Sequence, residues 1–583
     1  MSERPLLASS RPSSEQSDDL AGADEDDLLN AGRSNGRNFD QPKRFGVGFW
    51  REVGLFVWAM IATIAVVIIA VLYTHQGARR HGPDADPALP TGKRNLIFMV
   101  SDGMGPTSLS MTRSFMQFRD GAAPDDVLVL DQHLIGSSRT RSSSSLVTDS
   151  AAGATAFSCG FKSYNGAISI LPDHQPCGTV LEAAKRAGYM TGLVVTTRIT
   201  DATPACFAAH VNMRSEEDRI AEQEVGQGPL GRVVDLILGG GRCHFLPNTT
   251  DGSCRADDQD IVAMAKNNGF AYLDDRPGFD ALKGGDAVTL PLLGLVAETD
   301  IPYEIDRQHV NDVYPSLDEM ARTALAALSK ATENREQGFF LMIEGSRIDH
   351  AGHGNDPAAQ VHEVLAYDKA FASVMDFVDH SEVESMVIST SDHETGGLAA
   401  ARQLHSSYPE YLWYPGSLAN ATHSAENLAQ SLRQHLSSRR RATSDDLEAF
   451  IRKTLVQDGL GITDASAAEI KKLVDQPSQS AYLFADMISR RAQLGWSTHG
   501  HSAVDVNIYG TSNSSKIRGN HENTEVGEFL RDYLELDLEP ITKELIEKGA
   551  ALDQLGLSEG SWMGPLPDPA KVLDALDHYH GDF

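Results

Sequence analysis

The sequence predicts an α/β fold: a large central, mostly parallel β-sheet flanked by helices, interrupted by an insertion and preceded by one N-terminal transmembrane helix. Three observations lead there. Short apolar runs recur from residue 95 onward: NLIFMV, TGLVVTT, VDLILGG, GFFLMIE, SMVISTS and VDVNIY. Such runs, dominated by Val, Ile, Leu and Phe, fit strands buried on both faces. Helical stretches such as GTVLEAAKRAG and DEMARTALAALS lie between them, and strand alternating with helix builds a parallel sheet. Finally, GLFVWAMIATIAVVIIAVLY at residues 54–73 carries no charge and has the length of a bilayer-crossing helix.

Residues 1–52 are rich in Ser, Asp, Glu, Gly and Asn and lack an apolar period, which predicts a disordered acidic tail on the cytosolic side. Within it, DEDDLL sets Asp24 four residues before Leu28-Leu29, the pattern of an adaptor-binding acidic dileucine signal. Residues 53–73 are the expected signal anchor, because so long a polar lead and so long an apolar run do not suit a cleaved signal peptide. Lys43, Arg44 and Arg51 before the span, against Arg79, Arg80 and Lys93 after it, lean towards a cytosolic N-terminus. The sequons at Asn248, Asn420 and Asn513 all follow the span and agree with that type II orientation. Residues 74–92 read as a proline-containing stalk, and 93–535 as the α/β domain. Residues of about 402–495 lack clear strands and form the insertion, and 536–583 an acidic, weakly helical, peripheral tail.

With 583 residues, 41% of them hydrophobic, the chain can bury a large core. A formal charge of −31 excludes nucleic acid as a partner, since a phosphate backbone needs a basic footprint. It also repels small phosphate esters unless a local site reverses the sign. Among the five cysteines, Cys243 and Cys254 flank the polar loop CHFLPNTTDGSC and are candidates to pair in an oxidising compartment. Cys159, Cys177 and Cys206 are expected as free buried thiols.

The chemistry lies where the apolar runs end. Asp102 follows NLIFMV; Glu344, Asp349, His350 and His353 follow GFFLMI; Asp392 and His393 follow SMVISTS. Asp201, Thr203, His210 and Arg214 follow TGLVVTT, and His499 and His501 precede VDVNIY. Open α/β sheets gather ligands at the carboxyl ends of their strands. Carboxylates crowded there without partners are costly, and cations relieve that cost. Mixed carboxylate and imidazole donors suit zinc, and all-oxygen donors suit magnesium. The stretch TDSAAGATA at residues 148–156 sets Ser150 before a run of tiny residues. It reads either as an N-capping serine or as a hydroxyl placed where a helix N-terminus attracts phosphate.

Taken in order, VSDGMG, TDSAAGATA, DATPA with HVNMR, EGSRIDHAGH, TSDHETGG and GHSAVDVNIYG resemble the signature of the alkaline phosphatase family over about residues 93–510. With the N-terminal anchor, the fungal vacuolar members are the most similar. The resemblance implies a crown-like character for the insertion, a homodimer, and a vacuole membrane location with the catalytic domain luminal. It implies metal-dependent hydrolysis of phosphate monoesters through a covalent phosphoserine, with broad specificity and an alkaline optimum. It also implies two Zn2+ and one Mg2+ per chain. Ser150 corresponds to the nucleophile and Arg214 to the arginine that grips phosphate. Asp349, His353 and His501 correspond to ligands of the first zinc; Asp102, Asp392 and His393 to those of the second. Asp102, Asp201, Thr203 and Glu344 correspond to magnesium ligands. Three divalent cations outweigh the five carboxylates of that set, so the local field is positive although the chain is acidic.

Some positions depart from the pattern or compete with it. His499 is an alternative to His501, whose spacing to the following strand fits the family better. His350 is similar to animal members and Asp201 to bacterial ones, while His210 is expected as a packed structural histidine. A sulfatase or phosphodiesterase is the rival enzyme class, but TDSAAGA lacks the C/S-x-P-x-R pattern that sulfatases need. A membrane adaptor without catalysis is the rival outside enzymes.

Overall fold

The computed structural model describes residues 92–438, 444–512, 514–555 and 561–567, together with Phe56, Trp58, Met60 and Thr63. The chain divides into two units, Met1–Asp86 and Pro87–Phe583. In the first, the four described residues are helical, and Phe56, Trp58 and Met60 are exposed. No helix among the described residues is long and apolar enough to cross a membrane. The tail expected at 1–52 with its Asp24-Leu28-Leu29 signal, the rest of the span at 53–73, the stalk up to residue 91 and Asn513 lie outside the described residues.

Among the described residues the second unit has twelve strands: β1 Arg94–Val100, β2 Leu134–Arg139, β3 Met190–Arg198, β4 Leu236–Gly240, β5 Ala271–Leu273, β6 Leu292–Leu295, β7 Phe339–Glu344, β8 Glu384–Thr390, β9 Glu394–Thr395, β10 His501–Ser502, β11 Val506–Gly510 and β12 Gly519–Glu522. Ten of them form one sheet in the order β12-β2-β11-β8-β1-β7-β3-β4-β6-β5, and β9 and β10 form a separate pair. Within the large sheet every pairing is parallel except those of β11 with β2 and β8.

The apolar runs are unbroken because the central strands are covered twice. In β1, Ile97 and Met99 join the core on one face, and Leu96, Phe98 and Val100 the core on the other. In β7, Leu341 and Ile343 face the first core and Phe340 and Met342 the second. The helices Leu317–Thr332 and Pro357–His380 close the first face with Leu325, Leu328, Phe371 and Val374. The helices Val180–Arg186 and Asn523–Tyr533 close the second with Leu181, Val526 and Leu530. Each such side chain contributes about 1.5–3 kcal/mol over leaving it in water.

Register decides what this core delivers. Val100 of β1 pairs with Glu344 of β7 and with Thr390 of β8, and Val195 of β3 also pairs with Glu344. The carboxyl ends of β1, β7 and β8 are therefore level, β3 runs three residues further to Arg198, and Asp102, Asp201, Glu344 and Asp392 emerge along one edge. β11 runs the other way, with Ile508 opposite Thr390, so the residues ahead of it, His501 among them, meet the same edge.

The insertion begins with an irregular stretch and then carries helices, of which Ala425–Ser438, Ala467–Asp475 and Ser480–Ala492 share an apolar core of Leu428, Leu432, Ile470, Phe484 and Ile488. The segment after 535, expected to be peripheral, is docked over its described part. Ile541, Leu545 and Trp562 pack with Ala183, and Asn212 donates from its backbone and its side chain to the Met563 carbonyl at 2.9 and 3.3 Å.

The cysteines require a correction. Cys159 and Cys177 are not free thiols but form a disulfide, with Cα atoms 6.0 Å apart. Cys159 ends a helix, and the chain folds straight back over it through an irregular loop, which brings Cys177 within bridging distance. Cys243 and Cys254 are bridged, and Cys206 is free and buried.

Candidate active site

Ser150 begins the helix Ser150–Cys159, but it does not cap it. Asp149 is the cap, its Oδ1 accepting from Ala152 N at 2.9 Å. The serine hydroxyl is thereby released and lies 3.2 Å from His393 Nε2, on a side chain only 1% exposed. The tiny residues that follow are needed for approach. A Cβ on Gly153 would stand 3.0 Å from Asp392 Cβ, so the helix presses its first turn against the segment that carries two candidate ligands.

Three groups of donors lie along this edge of the sheet. Asp349 and His353 project from one face of the helix Arg347–His353, with His353 Nε2 3.2 Å from Asp349 Oδ2. His501 Nε2 lies 3.1 Å from His353 Nε2 and 3.6 Å from Asp349 Oδ1. Both rings use Nδ1 to donate to backbone carbonyls, His353 to His499 O and His501 to Thr148 O. A carbonyl only accepts, so Nδ1 is the donor in each ring; in the neutral imidazoles each Nε2 has a lone pair, and the two face each other across a gap that a cation suits.

The second group is Asp102, Asp392 and His393, with His393 Nε2 3.2 Å from Asp392 Oδ2 and 3.6 Å from Asp102 Oδ1. Those two carboxylate oxygens are buried with no hydrogen-bond donor among the described residues. Burial, and then the charges of Asp392, Asp349 and Glu344, push the Asp102 carboxyl well above its ordinary range. His393 belongs to both groups, since its donor atom lies within 4.8 Å of Asp349 and His501 as well as of Asp102 and Asp392. The rings of His393 and His501 stack at 3.5 Å.

The third group is Asp201, Thr203 and Glu344. Burial pushes the Glu344 carboxyl up to about 8, despite the hydroxyls of Ser346 and Thr203 beside it. Burial also works against ionising Asp201, but the guanidiniums of Arg198 and Arg214 overcome it and hold that carboxyl far below its usual range. Arg214, 3% exposed, reaches Asp201 Oδ1 at 2.8 Å with Nη2 and Asp149 Oδ2 at 3.5 Å with Nη1. Its fork is thus fixed from both sides before any ligand arrives.

The structure brings together every residue singled out as catalytic or metal-binding: Ser150, Arg214, Asp102, Asp201, Thr203, Glu344, Asp349, His353, Asp392, His393 and His501. His210 is structural, as expected, held by Glu182 at 2.8 Å and the Ser169 carbonyl at 3.1 Å. His350 receives Arg347 Nε at 3.3 Å. Residues that sequence reasoning passed over are Asp149, which orients both the serine and Arg214, and Thr395. The Thr395 hydroxyl contacts Asp349 Oδ1 and His393 Nδ1 and so ties the first two groups together. The aspartate stood in plain view beside Ser150; the threonine carried no signal of its own.

The model of the alkaline phosphatase family matches residues 93–536. The chain belongs to that family. The repressible alkaline phosphatase of Saccharomyces cerevisiae is 55% identical over 471 residues, covering 77% of this chain and 83% of the relative. The alkaline phosphatase of Thermus thermophilus has a similar solved structure, with 29% identity and a TM-score of 0.64, covering 79% of this chain and 97% of that one. A variant of the alkaline phosphatase of the Antarctic bacterium TAB5, with Mg bound in its M3 site, is similar at 26% identity and a TM-score of 0.53, covering 77% and 99%. As an alkaline phosphatase, this chain carries out metal-dependent hydrolysis of phosphate monoesters.

Proposed function

We propose that hydrolysis proceeds through a phosphorylated Ser150, at a site that holds two Zn2+ and one Mg2+. The observation that carries this is the placement of the Ser150 hydroxyl 3.2 Å from His393 Nε2, where the two mixed donor groups meet. Asp349, His353 and His501 would hold one zinc and Asp102, Asp392 and His393 the other. The oxygen set of Asp102, Asp201, Thr203 and Glu344 suits magnesium, the metal named for the TAB5 variant. Bound there, divalent cations neutralise the crowded carboxylates, lower the pKa of a neighbouring hydroxyl or water and stabilise attacking and leaving oxygens.

Around that charge the chain's own groups set up an in-line transfer. Arg214 donates through both arms of its fork to two phosphoryl oxygens, a geometry that lysine does not provide. Ser150 gives up its proton, and its Oγ forms a bond to phosphorus as the bond to the alcohol oxygen breaks. The alcohol leaves with a proton. Water then attacks the phosphoserine, the Oγ–P bond breaks, Ser150 regains its proton and inorganic phosphate departs. Two inversions leave the configuration at phosphorus retained. The groups gathered here all address the phosphoryl end, which supports broad specificity, and a deprotonated serine favours alkaline pH.

Comparing turnover of a phosphate monoester, a diester and a sulfate ester tests this reading, with trapping of phosphate on Ser150. Monoester turnover should dominate; a dominant diester or sulfate turnover overturns it. The same proposal extends to a type II anchor at 53–73, a vacuole membrane location with the catalytic domain luminal, a homodimer and adaptor binding through Asp24-Leu28-Leu29. Its support is the apolar span, the sequons and the dileucine pattern. Protease protection of the domain in sealed vacuoles, lost on adding detergent, checks the orientation.

A further inference from the structure

Two histidines stand close together in the chain, His499 just ahead of β10 and His501 at its first position, and His501 alone of the two stands in a donor group. His499 faces the other way. Its ring lies against Tyr482 with centroids 4.5 Å apart, and its Nδ1 donates to the His353 carbonyl at 2.7 Å. In return, His353 Nδ1 donates to the His499 carbonyl. The two residues are joined reciprocally, ring to backbone in both directions.

We propose that His499 is a positioning residue for the metal site of Asp349, His353 and His501, acting through its Nδ1–H on the His353 carbonyl. The inference rests on the metal assignment above. His353 is the last residue of its helix, and the His499 ring donates to its carbonyl there. This bond fixes the backbone from which the His353 ring springs. The returning bond fixes the ring itself, leaving Nε2 turned towards His501. His501 follows two residues later, at the start of β10, so one clasp sets the spacing of both imidazoles. Asn355 Nδ2 reinforces it by donating to the Thr498 carbonyl at 3.0 Å. Groups that orient a ligand in this way typically govern metal affinity by 10–100-fold.

The test is a zinc titration of metal-stripped enzyme by competition with a chelator, run on wild type, His499→Ala, His499→Asn, His499→Gln and His353→Ala. Asparagine places an N–H close to where the imidazole Nδ1–H was, whereas glutamine carries it one carbon too far. His499→Ala should bind zinc at one site roughly 10–100-fold more weakly, with the other site unchanged and with the melting temperature of the metal-free form unmoved. His499→Asn should recover most of the affinity. Wild-type affinity in His499→Ala, or no recovery in His499→Asn, overturns the proposal. If the alanine variant does not fold, the remaining pair decides: asparagine tight and glutamine weak supports it, equal affinities overturn it. A wild type from which His353→Ala removes no zinc defeats the metal assignment itself, an outcome distinct from a failure at residue 499 alone.

Discussion

Gly103 is one atom's breadth from disabling the site. It follows Asp102 with φ +73°, and a Cβ there would lie 2.6 Å from Asp349 Cα and 2.8 Å from Thr395 Oγ1. Gly103→Ala therefore incurs two costs: about 1–2 kcal/mol for a left-handed backbone at a residue with a Cβ, and about 1–3 kcal/mol for overpacking against backbone that has nowhere to go. The total is roughly 2–5 kcal/mol. The displaced atoms belong to two ligand-bearing segments, so the strain falls on the distance between Asp102 and Asp349. A misplacement of about 1 Å costs on the order of a hundredfold in rate. Urea unfolding of the metal-loaded enzyme, alongside kcat on a phosphate monoester, measures both effects. A variant stable to within about 0.5 kcal/mol of wild type, which is what an inconsequential surface change gives, and with full kcat, refutes the reasoning.

Ser150→Ala should abolish the burst of phosphorylated enzyme and nearly all turnover in rapid-quench measurements; undiminished steady-state rates exclude Ser150 as nucleophile. Strong chelation should remove activity, and zinc with magnesium should restore it; restoration by calcium alone contradicts the donor assignment. Glu363 is buried and accepts from Glu304 N at 2.5 Å, and burial pushes its carboxyl from 4.5 up to about 7. The unfolded chain ionises first, so stability falls as pH rises through that interval and stays lower above it. Glu363→Gln keeps the acceptor and should stabilise by on the order of 3 kcal/mol at pH 8 but little at pH 4; thermal melts showing an equal gain at both pH values defeat this account. Replacing both Cys159 and Cys177 with alanine opens a loop closed over a separation of 18 residues and should lower the unfolding free energy by about 3 kcal/mol. An unchanged urea midpoint speaks against it.

The central strands were readable because burial on both faces leaves an apolar run without interruption, as in β1 and β7. Of the strands that went unread, β5 has three residues, and β12, GNHE at the sheet margin, has exposed or half-buried side chains; β6, LLGL, is fully buried but only four residues long. Strand direction was unreadable, since VDVNIY has the composition of a parallel strand yet runs antiparallel. Ligands were legible because each ends or begins an apolar run. Asp149 was masked by Ser150, an equally good cap by composition, and only the bond to Ala152 N separates their tasks. Thr395 and His499 act by hydrogen bonds to other functional groups, and nothing in local composition marks a bond formed across 46 residues, as from Thr395 to Asp349, or 146, as from His499 to His353.

The reversed strand β11 sets when the enzyme becomes competent during its own synthesis. It lies between β2 and β8, strands made long before it, so the sheet must hold a slot open until nearly the whole chain has emerged. His501 arrives with that late wedge, while Asp102 is available almost from the start. A nascent chain thus lacks the last imidazole of the site, and the strand that closes the sheet beside it, until residues 501–510 have been made.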